Sequence, residues 1–397
     1  MVTWRSGEVI AVRREWVGAA ELEVEVAGAV IRALAYPALT GPARPGDEVL
    51  LNTGALDLGL GTGGYALVVA VPGRLPEPAT PPGHLIKARY TPLQAAVAGA
   101  DEPGSPGYER LAEAGGLDGM PVLIADLHSA LPAALTGFFS EKGFLAANPA
   151  GTATGVPPRV AYVMTDGGAL PAWFSRTAAR LRELGWLAGV VTTGQAFGGD
   201  LEAVTLHSGL LAARHLLGAE LAVVCQGPGN LGTGTTWGFS GLACGEAVNA
   251  VAVLGGRPIA SLRISDADPR PRHQGISHHS LTAYGRVALA RAEVVIPELP
   301  GPLGPRVRAQ AQALGERHEL ALVEVTGLAE ALRACPVRLS TMGRGLEADL
   351  AYFLAAAAAG RHAARPAAGL RNHPEPGPGI WQNRRAERSE QAGASGG

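Results

Sequence analysis

The sequence predicts an α/β protein in which a small N-terminal β-barrel precedes a doubly wound, mostly parallel α/β domain. Two observations support this fold class. The first 75 residues contain short segments of period-two hydrophobicity, and from residue 120 onward apolar runs alternate with helical segments. A proline-rich segment separates the two patterns, and the length of 397 residues accommodates two or three domains at roughly 150 residues each.

Residues 1–75 form the predicted barrel. The stretch 21–26 reads ELEVEV, and this strict alternation places Leu22, Val24 and Val26 on one buried face of a strand. Four further short strands, separated by glycine- and proline-rich turns, are predicted at residues 7–12, 30–36, 49–52 and 66–71. Five strands in so short a segment favour closure into a small barrel.

Residues 76–119 are predicted to connect the barrel to the next domain. Five prolines between Pro72 and Gly83 make the start of this region a stiff, non-helical spacer. At the other end of the chain, residues 361–397 contain almost no apolar side chains. We therefore predict a disordered tail there, because the segment could bury too little surface to order itself.

Residues 120–360 carry the alternating pattern of the α/β domain. Its apolar runs are short, continuous and rich in Val, Ile and Leu, as expected for parallel strands covered on both faces. They lie at residues 121–125, 159–164, 187–192, 221–225, 259–264, 293–296 and 320–325. Helices are predicted between them, including one from Pro171 to about Gly185 and one that Asp200 caps and Gly218 ends.

Composition and charge exclude several classes of partner. Lys and Arg number 33 against 35 Asp and Glu, so no net positive field would attract nucleic acid or an anionic membrane surface. Three cysteines are too few for a disulfide framework, and no stretch has the pattern of a signal peptide or a membrane helix. We therefore expect a cytoplasmic protein without nucleic-acid or membrane partners, and the sequence leaves a homo-oligomer open.

The candidate site follows from the predicted topology, because ligands of open parallel sheets bind beyond the carboxyl ends of the strands. Polar residues and glycines follow most of the apolar runs. Those predicted to bind metal or to transfer protons are Asp126, His128, Asp166, Asp266 and His278. Those predicted to contact the ligand are Thr193, Gly194, Gly227, Gly229, Gly232, Thr233, Thr235 and Arg344. Turn formation and helix capping would explain about half of these positions without any ligand.

A glycine-rich loop follows the run at 221–225 and reads QGPGNLGTGTT over residues 226–236. Gly227, Gly229 and Gly232 match the G-x-G-x-x-G pattern of dinucleotide sites, and a predicted strand and helix flank them as that pattern requires. However, the acidic residue expected about 20 positions later is missing, and no Lys follows as it would in a P-loop. The loop is therefore predicted to form an anion-binding nest at a helix N-terminus, with threonine hydroxyls as donors.

A second cluster of polar side chains lies in residues 265–280, which read SDADPRPRHQGISHHS. Its three histidines and two aspartates are residue types that bind zinc, manganese or iron. Their spacing matches no known metal signature, so a divalent metal is one interpretation among three. The second is a helix start in which His278 and His279 flank an N-cap at Ser277, and the third is a histidine that acts as a general acid or base without metal.

Six strings in the sequence are distinctive. They read TWRSGEVIAVRREWVGAAELEV, LDLGLGTGGYALVVAVP, GHLIKARYTPLQ, TTGQAFGGDLEAV, GPGNLGTGT and STMGRG. With these strings the chain resembles an uncharacterised bacterial family, domain of unknown function 3866, over residues 1 to about 360. The resemblance implies no activity, cofactor or catalytic residue.

Three hypotheses about function therefore compete. The leading one is a protein that binds a small anionic ligand, phosphorylated or nucleotide-like, at the carboxyl edge of the sheet, with hydrolysis as the simplest reaction. The second is a non-enzymatic interaction or regulatory protein that docks through its barrel. The third is a nicotinamide-dependent oxidoreductase, which the glycine pattern suggests and the missing acidic residue weakens. The sequence leaves open whether the protein is an enzyme, and a divalent metal is the only cofactor that it suggests in the leading case.

Overall fold

Five N-terminal strands close into a barrel in the computed structural model, which describes residues 2–60, 63–78, 80, 82–145 and 156–366. The strands are β1 (Trp4–Trp16), β2 (Ala19–Val26), β3 (Ala29–Ala35), β4 (Glu48–Asn52) and β5 (Ala66–Ala70). They are hydrogen-bonded in the order β1-β2-β3-β5-β4, and β4 pairs with β1 to close the barrel. The arrangement is a five-stranded Greek-key barrel of the OB-fold type. Two short helices, α1 (Pro37–Thr40) and α2 (Gly54–Asp57), flank β4.

The buried face of the barrel is the one that the sequence predicts. Leu22 and Val24 are fully buried and Val26 nearly so, which confirms the alternation of the ELEVEV strand. The barrel also packs against the α/β part of the chain, since the indole nitrogen of Trp16 donates a hydrogen bond of 2.6 Å to the carbonyl oxygen of Trp173. Both parts belong to one compact unit that extends to Ala364.

The segment between the barrel and the large sheet contains regular structure of its own. It includes a hairpin of β6 (Leu85–Lys87) and β7 (Ala95–Val97), followed by α3 (Tyr108–Ala112). The side chain of Lys87 is fully buried, and its Nζ donates to the carbonyl oxygens of Gly194, at 2.7 Å, and Ala203, at 2.9 Å. This lysine therefore ties the hairpin to the carboxyl edge of the large sheet.

Eight parallel strands form the sheet of the α/β domain and confirm the predicted fold class. The strands of this domain are β8 (Pro121–Ile124), β9 (Val160–Thr165), β10 (Gly189–Thr192), β11 (Leu201–Glu202), β12 (Leu221–Gln226), β13 (Arg257–Ser261), β16 (Glu293–Glu298) and β17 (Glu319–Glu324). Two small hairpins add β14 (Ile264–Ser265) with β15 (Gly275–Ile276), and β18 (Ser340–Thr341) with β19 (Arg344–Gly345). The helices are α4 (Ala130–Glu141), α5 (Arg176–Glu183), α6 (Leu206–His215), α7 (Ala243–Val253), α8 (His278–Thr282), α9 (Leu303–Ala311), α10 (Leu328–Arg333) and α11 (Leu350–Ala364).

The order of the strands places a topological switch point in the middle of the sheet. The spatial order is β11-β10-β9-β12-β8-β13-β16-β17, so the chain moves outward from β8 to β11, returns to β12, and then crosses β8 to reach β13. Because parallel crossovers are right-handed, connections that run in opposite directions lie on opposite faces. Accordingly, α4 packs with α10 and α11, whereas α7 packs with α6. The loops after β8 and β12 therefore diverge and leave a crevice between them.

Two predicted helices begin later than the sequence suggests. A 3₁₀ turn follows Pro171, and α5 begins only after Ser175, whose hydroxyl caps it. The helix predicted from Asp200 begins after Thr205, which forms a capping box with Ser208. Asp200 does not cap a helix because its carboxylate accepts a hydrogen bond from the backbone N–H of Val190 at 2.8 Å. A long-range partner thus replaces the local one that the sequence favours.

The last described helix, α11, is held against α4 by two glycines. A Cβ atom on Gly137 would lie 1.8 Å from the carbonyl oxygen of Ala357, and one on Gly360 would lie equally close to that of Ala134. Since α11 continues to Ala364, the first residues of the predicted tail are helical, and the prediction for residues 367–397 lies outside the described part of the chain. Among the described helices, none combines the length and apolar character needed to span a bilayer.

Candidate metal centre

Three histidines meet beyond the carboxyl end of β13. The β14–β15 hairpin carries a 3₁₀ turn that ends at His273, and α8 begins directly after β15 with His278 and His279. Ser277 is the N-cap of this helix, and its hydroxyl accepts a hydrogen bond from the backbone N–H of His279 at 3.2 Å. The structure confirms the predicted helix start and also brings the three histidines together, while metal binding stays a prediction.

The three imidazole rings face one another closely enough to share an ion. One ring nitrogen of each residue lies within 4.8 Å of the other two. In addition, each ring has a buried nitrogen with no hydrogen-bond partner among the described residues, namely Nε2 of His273, Nε2 of His278 and Nδ1 of His279. An unsatisfied buried polar atom costs about 1–3 kcal/mol. Three such atoms lie together in this cluster.

The surroundings hold two of these rings in place. The imidazole of His279 stacks on the ring of Phe239 with a centroid distance of 3.8 Å and an angle of 6°. Nδ1 of His273 lies 2.8 Å from the hydroxyl oxygen of Ser277. Histidines that bind metal commonly donate their second N–H to such an oxygen, which fixes the tautomer and leaves the other nitrogen free for the ion. The position of Ser277 suits this role for His273.

Electrostatics keep the cluster neutral. Burial, together with the charges of Arg263 and Arg270, lowers the pKa of His273 to about 3. Burial, with the neighbouring His278 and Arg263, lowers the pKa of His279 to about 3, and burial and nearby arginines also lower the pKa of His278. The imidazoles are therefore unprotonated near neutral pH, which is the form that binds metal.

An arginine cluster lies beside the histidines and surrounds the fully buried carboxylate of Asp268. Arg263, Arg270 and Arg344 approach this carboxylate to 3.3, 2.8 and 3.4 Å. The hydrogen bond from Arg270 outweighs the effect of burial and holds the pKa of Asp268 well below its usual range. Arg344 also pairs with the buried Asp349 at 2.8 Å. The predicted ligand contact Arg344 thus belongs to this arginine cluster, where two carboxylates engage it.

A small pocket lies at the switch point between β8 and β12. Asp126 and Gln226 line it, together with Ser240 and Gly241. Its volume of about 10 Å³ is roughly what one water molecule needs. Oδ2 of Asp126 and Oε1 of Gln226 are both buried and have no partner within the described ranges, so two acceptor oxygens face the same confined space. Burial raises the pKa of Asp126, and the charge of Arg263 opposes that shift.

The five residues predicted to bind metal or transfer protons are not brought to one point. His278 belongs to the histidine cluster, and Asp126 lies at the switch point. His128 is turned toward α5, where its Nε2 lies 2.8 Å from the hydroxyl of Ser175. Asp166 is exposed and accepts a hydrogen bond from the backbone N–H of Gln195. Asp266 is exposed as well and lines a groove near Leu299 and Leu303, whereas the buried Asp268 pairs with Arg263.

The glycine-rich loop does not form the predicted nest at a helix N-terminus. It folds back as an irregular hairpin in which Gly232 pairs with Phe239, and α7 begins only at Ala243. The hydroxyls of Thr233 and Thr235 lie 3.2 Å apart within this hairpin, and that of Thr235 accepts from the N–H of Gly238. The strand-turn-helix geometry of a dinucleotide site is therefore absent here, because about sixteen residues separate β12 from the helix.

The other predicted ligand contacts serve the fold in this structure. Thr193 is buried, and its hydroxyl donates to the carbonyl oxygen of Met164 at 3.3 Å. Gly194 adopts a φ of 62°, and a Cβ atom there would lie 2.3 Å from a carboxylate oxygen of Asp166. Gly227 is buried in the sheet edge, whereas Gly229, with a φ of 93°, is exposed and has open space around it. Ligand binding by these residues stays a prediction.

Arg263 is a residue of this region that sequence analysis missed, and Gln226 was predicted only as the first residue of the glycine-rich loop. The apolar run at 259–264 predicts a single strand over its full length. In the structure β13 ends at Ser261, so Arg263 is the second residue beyond the carboxyl end of this strand. Gln226, conversely, is the last residue of β12, and its side chain reaches the pocket from inside the sheet. A single Arg within an apolar run is the signal that could have revealed the first.

Fold and site together define an α/β protein with an N-terminal Greek-key barrel and a cluster of three histidines at the carboxyl edge of its parallel sheet. The chain belongs to the family described as Protein of unknown function (DUF3866), whose model matches residues 32–360. This match confirms the resemblance found in the sequence. Comparisons with curated proteins and with solved structures each gave no match.

Proposed function

We propose that the protein binds a divalent transition-metal ion of the zinc class through His273, His278 and His279 and uses it to hydrolyse a small anionic substrate. One observation carries the proposal, namely the three buried ring nitrogens that lack partners in the described chain and belong to one cluster. Structural clusters of this kind normally satisfy each buried polar atom internally. An ion satisfies all three nitrogens at once.

The donor set fits such an ion. Catalytic zinc sites commonly have three protein ligands, including sets of three histidines, and leave the fourth position to water. Bonds of about 2.1 Å in tetrahedral geometry would place the nitrogens about 3.4 Å apart. The separations of up to 4.8 Å in the cluster therefore need small side-chain rotations to close. His278 and His279 are adjacent on one helix, and the use of Nε2 by one and Nδ1 by the other lets the two rings converge.

The chemistry around the cluster favours hydrolysis of an anion. A divalent ion at this position would lower the pKa of a bound water toward neutrality and so supply a nucleophile. The arginines beside the histidines provide positive charge for an anionic substrate. The nicotinamide alternative loses its support, because the glycine-rich loop does not lead into a helix. Docking through the barrel stays a prediction, as does a cytoplasmic location.

The test is a metal titration of the full chain after dialysis against a chelator. We expect one Co²⁺ per chain, with the intense visible absorption of a tetrahedral site, and Zn²⁺ should displace it. His273→Ala and His278→Ala should each abolish this binding, whereas His207→Ala, which changes an exposed histidine on α6, should leave it intact. Absence of stoichiometric metal in the unaltered protein would overturn the proposal.

A second measurement addresses the reaction. The zinc-loaded protein is assayed with chromogenic aryl phosphate and aryl carboxylate esters, with the chelated protein and His278→Ala as controls. Hydrolysis that requires both the metal and His278 would support the hydrolase. Metal binding without hydrolysis of either probe would count against the hydrolase and leave a metal-binding protein.

A further inference from the structure

Arg263 is a buried arginine whose backbone is fixed to the segment that carries the histidines. Its side chain is 4 % exposed. Its N–H donates to the hydroxyl of Ser280 at 2.9 Å, and its carbonyl oxygen accepts from the N–H of Ser277 at 2.8 Å. These bonds connect the Arg263 backbone to the first turn of α8. The backbone of Arg263 is therefore fixed beside the helix that carries His278 and His279.

The guanidinium of Arg263 shares its carboxylate partner with two other arginines. Within the described residues, its side chain makes one hydrogen bond, to Asp268 at 3.3 Å, although a guanidinium has five N–H donors. Asp268 in turn accepts two shorter bonds from Arg270, at 2.9 and 2.8 Å, and a further bond from Arg344. Because three arginines share this one carboxylate, their combined positive charge exceeds its negative charge. Buried charges normally have complete hydrogen bonding.

Arg263 belongs to the same carboxyl edge of the sheet as both groups of unpartnered atoms. Its charge acts on all three histidines and on Asp126. In the part of the chain that the structure describes, Arg263 has an ion pair with Asp268 and none with Asp126. This edge therefore combines a buried cation with histidine nitrogens that lack partners. An anion would complement both.

A metal ion bound to the histidines would make an anion beside Arg263 more favourable. Four arginines contribute positive charge near the cluster. Arg263, Arg270 and Arg272 act on the histidines directly, and Arg344 acts through Asp268. The negative charges that oppose them are the buried carboxylates of Asp268 and Asp349. The neutral imidazoles contribute no negative charge. A divalent ion would add two more positive charges, which makes an anionic co-ligand favourable.

We propose that an oxyanion bridges the metal at the three histidines and the guanidinium of Arg263, with one oxygen on the ion and the others on the arginine. The proposal rests on the metal site proposed above and specifies its substrate class, phosphate esters or carboxylates. Arginine suits this role because its planar fork binds two oxygens of such groups at once. Metal and oxyanion are then coupled, and each increases the affinity for the other by the same factor.

The experiment measures this coupling. Co²⁺ affinity of the full chain is determined with and without inorganic phosphate, and acetate replaces phosphate in a parallel titration. We expect phosphate to tighten Co²⁺ binding about tenfold, within the range typical of coupled sites. Arg263→Gln should bind Co²⁺ as the unaltered protein does without phosphate but lose the tenfold effect. Arg308→Gln, an exposed arginine on α9, should retain it.

The outcomes separate the two proposals. If Co²⁺ binds but neither anion changes its affinity, or if Arg263→Gln responds to phosphate as strongly as the unaltered protein, the oxyanion site is wrong and the metal site stands. If Co²⁺ does not bind at all, the metal site fails, and with it the bridge. A response to acetate and not to phosphate supports the site and assigns it to carboxylates. Should Arg263→Gln unfold, Arg263→Lys keeps the charge and is expected to retain a weaker response.

Discussion

Two buried arginines lie at opposite ends of the same stretch of chain and differ in how completely their charges are compensated. Arg257 begins β13 and donates to both carboxylate oxygens of Glu293, at 2.7 and 2.6 Å, and His362 contacts the same carboxylate. Arg263 lies just beyond the carboxyl end of β13 and makes one bond of 3.3 Å to the shared Asp268. The first arrangement is complete without any ligand, whereas the second is not.

This difference distinguishes the structural ion pair at one edge of the sheet from the candidate site at the other. Burial is the same in both cases, since the two side chains are 6 % and 4 % exposed. What distinguishes them is the number of donors that protein atoms satisfy. The three histidines near Arg263 are deficient in a different way, with three buried nitrogens left without partners in the described chain. Incomplete hydrogen bonding, rather than the mere presence of polar residues, marks the candidate site.

The largest effect on stability is expected at the completed pair. Arg257→Met should lower the free energy of unfolding by about 3–5 kcal/mol, because Glu293 would stay buried without its main partner. Co²⁺ affinity should not change, since this edge of the sheet is remote from the histidines. Urea denaturation and the metal titration measure the two quantities. A loss below about 1 kcal/mol would show that the pair contributes little.

The same pair should produce a pH dependence. Burial alone would raise the pKa of Glu293, but hydrogen bonds from His362 and Arg257 lower it to about 2, from an ordinary value of 4.5. Because the pKa is lower in the folded state, the stabilisation is fully present above pH 4.5 and is lost as the pH falls toward 2. The free energy of unfolding should therefore decrease over this range, and less steeply in Glu293→Gln. Equal slopes in the two proteins would contradict the assignment.

At the incomplete site, replacement of a histidine should separate stability from metal binding. His279→Phe keeps the stacking on Phe239 and removes an unsatisfied nitrogen, so the metal-free protein should gain up to about 1 kcal/mol in unfolding free energy. The variant should lose the stabilisation by metal, which at 100 times the dissociation constant is about 2.7 kcal/mol. Denaturation with and without Zn²⁺ checks both expectations. A marked loss of stability without metal would mean that the ring is structurally required.

The smallest effect is expected for Arg263→Met. Asp268 keeps its bonds from Arg270 and Arg344, so removal of the third arginine should change the free energy of unfolding by no more than about 1 kcal/mol. The contrast with Arg257→Met then tests the comparison directly, because both substitutions remove a buried arginine of nearly equal exposure. Equal losses in the two variants would show that completeness of the ion pair does not decide its structural role.

Much of the fold could be predicted from the sequence because its signals are local. Alternation in residues 21–26 and the continuous apolar runs after residue 120 identify strands without knowledge of their neighbours. The order of the strands in the sheet could not be predicted from these local signals. The insertion of β12 between β9 and β8 depends on which edges pair in the folded chain, and it creates the crevice that Asp126 and Gln226 line.

The site was predicted only in part. The segment 265–280 was identified by its density of histidines, and His278 does belong to the cluster. The path of the loop turns Asp268 toward the arginines and exposes Asp266 to solvent, so a role for Asp266 stays a prediction. The path of this loop cannot be predicted from the sequence, because it depends on how the β14–β15 hairpin packs.

The sequence by itself determined the fold class, the positions of most strands and the presence of polar groups at the carboxyl edge, because periodicity and composition are properties of neighbouring residues. Only the tertiary structure decided which of these groups are satisfied. Their partners lie far away along the chain, as Ser175 does for His128 and Asp349 does for Ser265. Folding gives such partners to His128 and Ser265 and leaves the three histidines turned toward one another, since hydrogen bonding depends on proximity in space rather than in sequence.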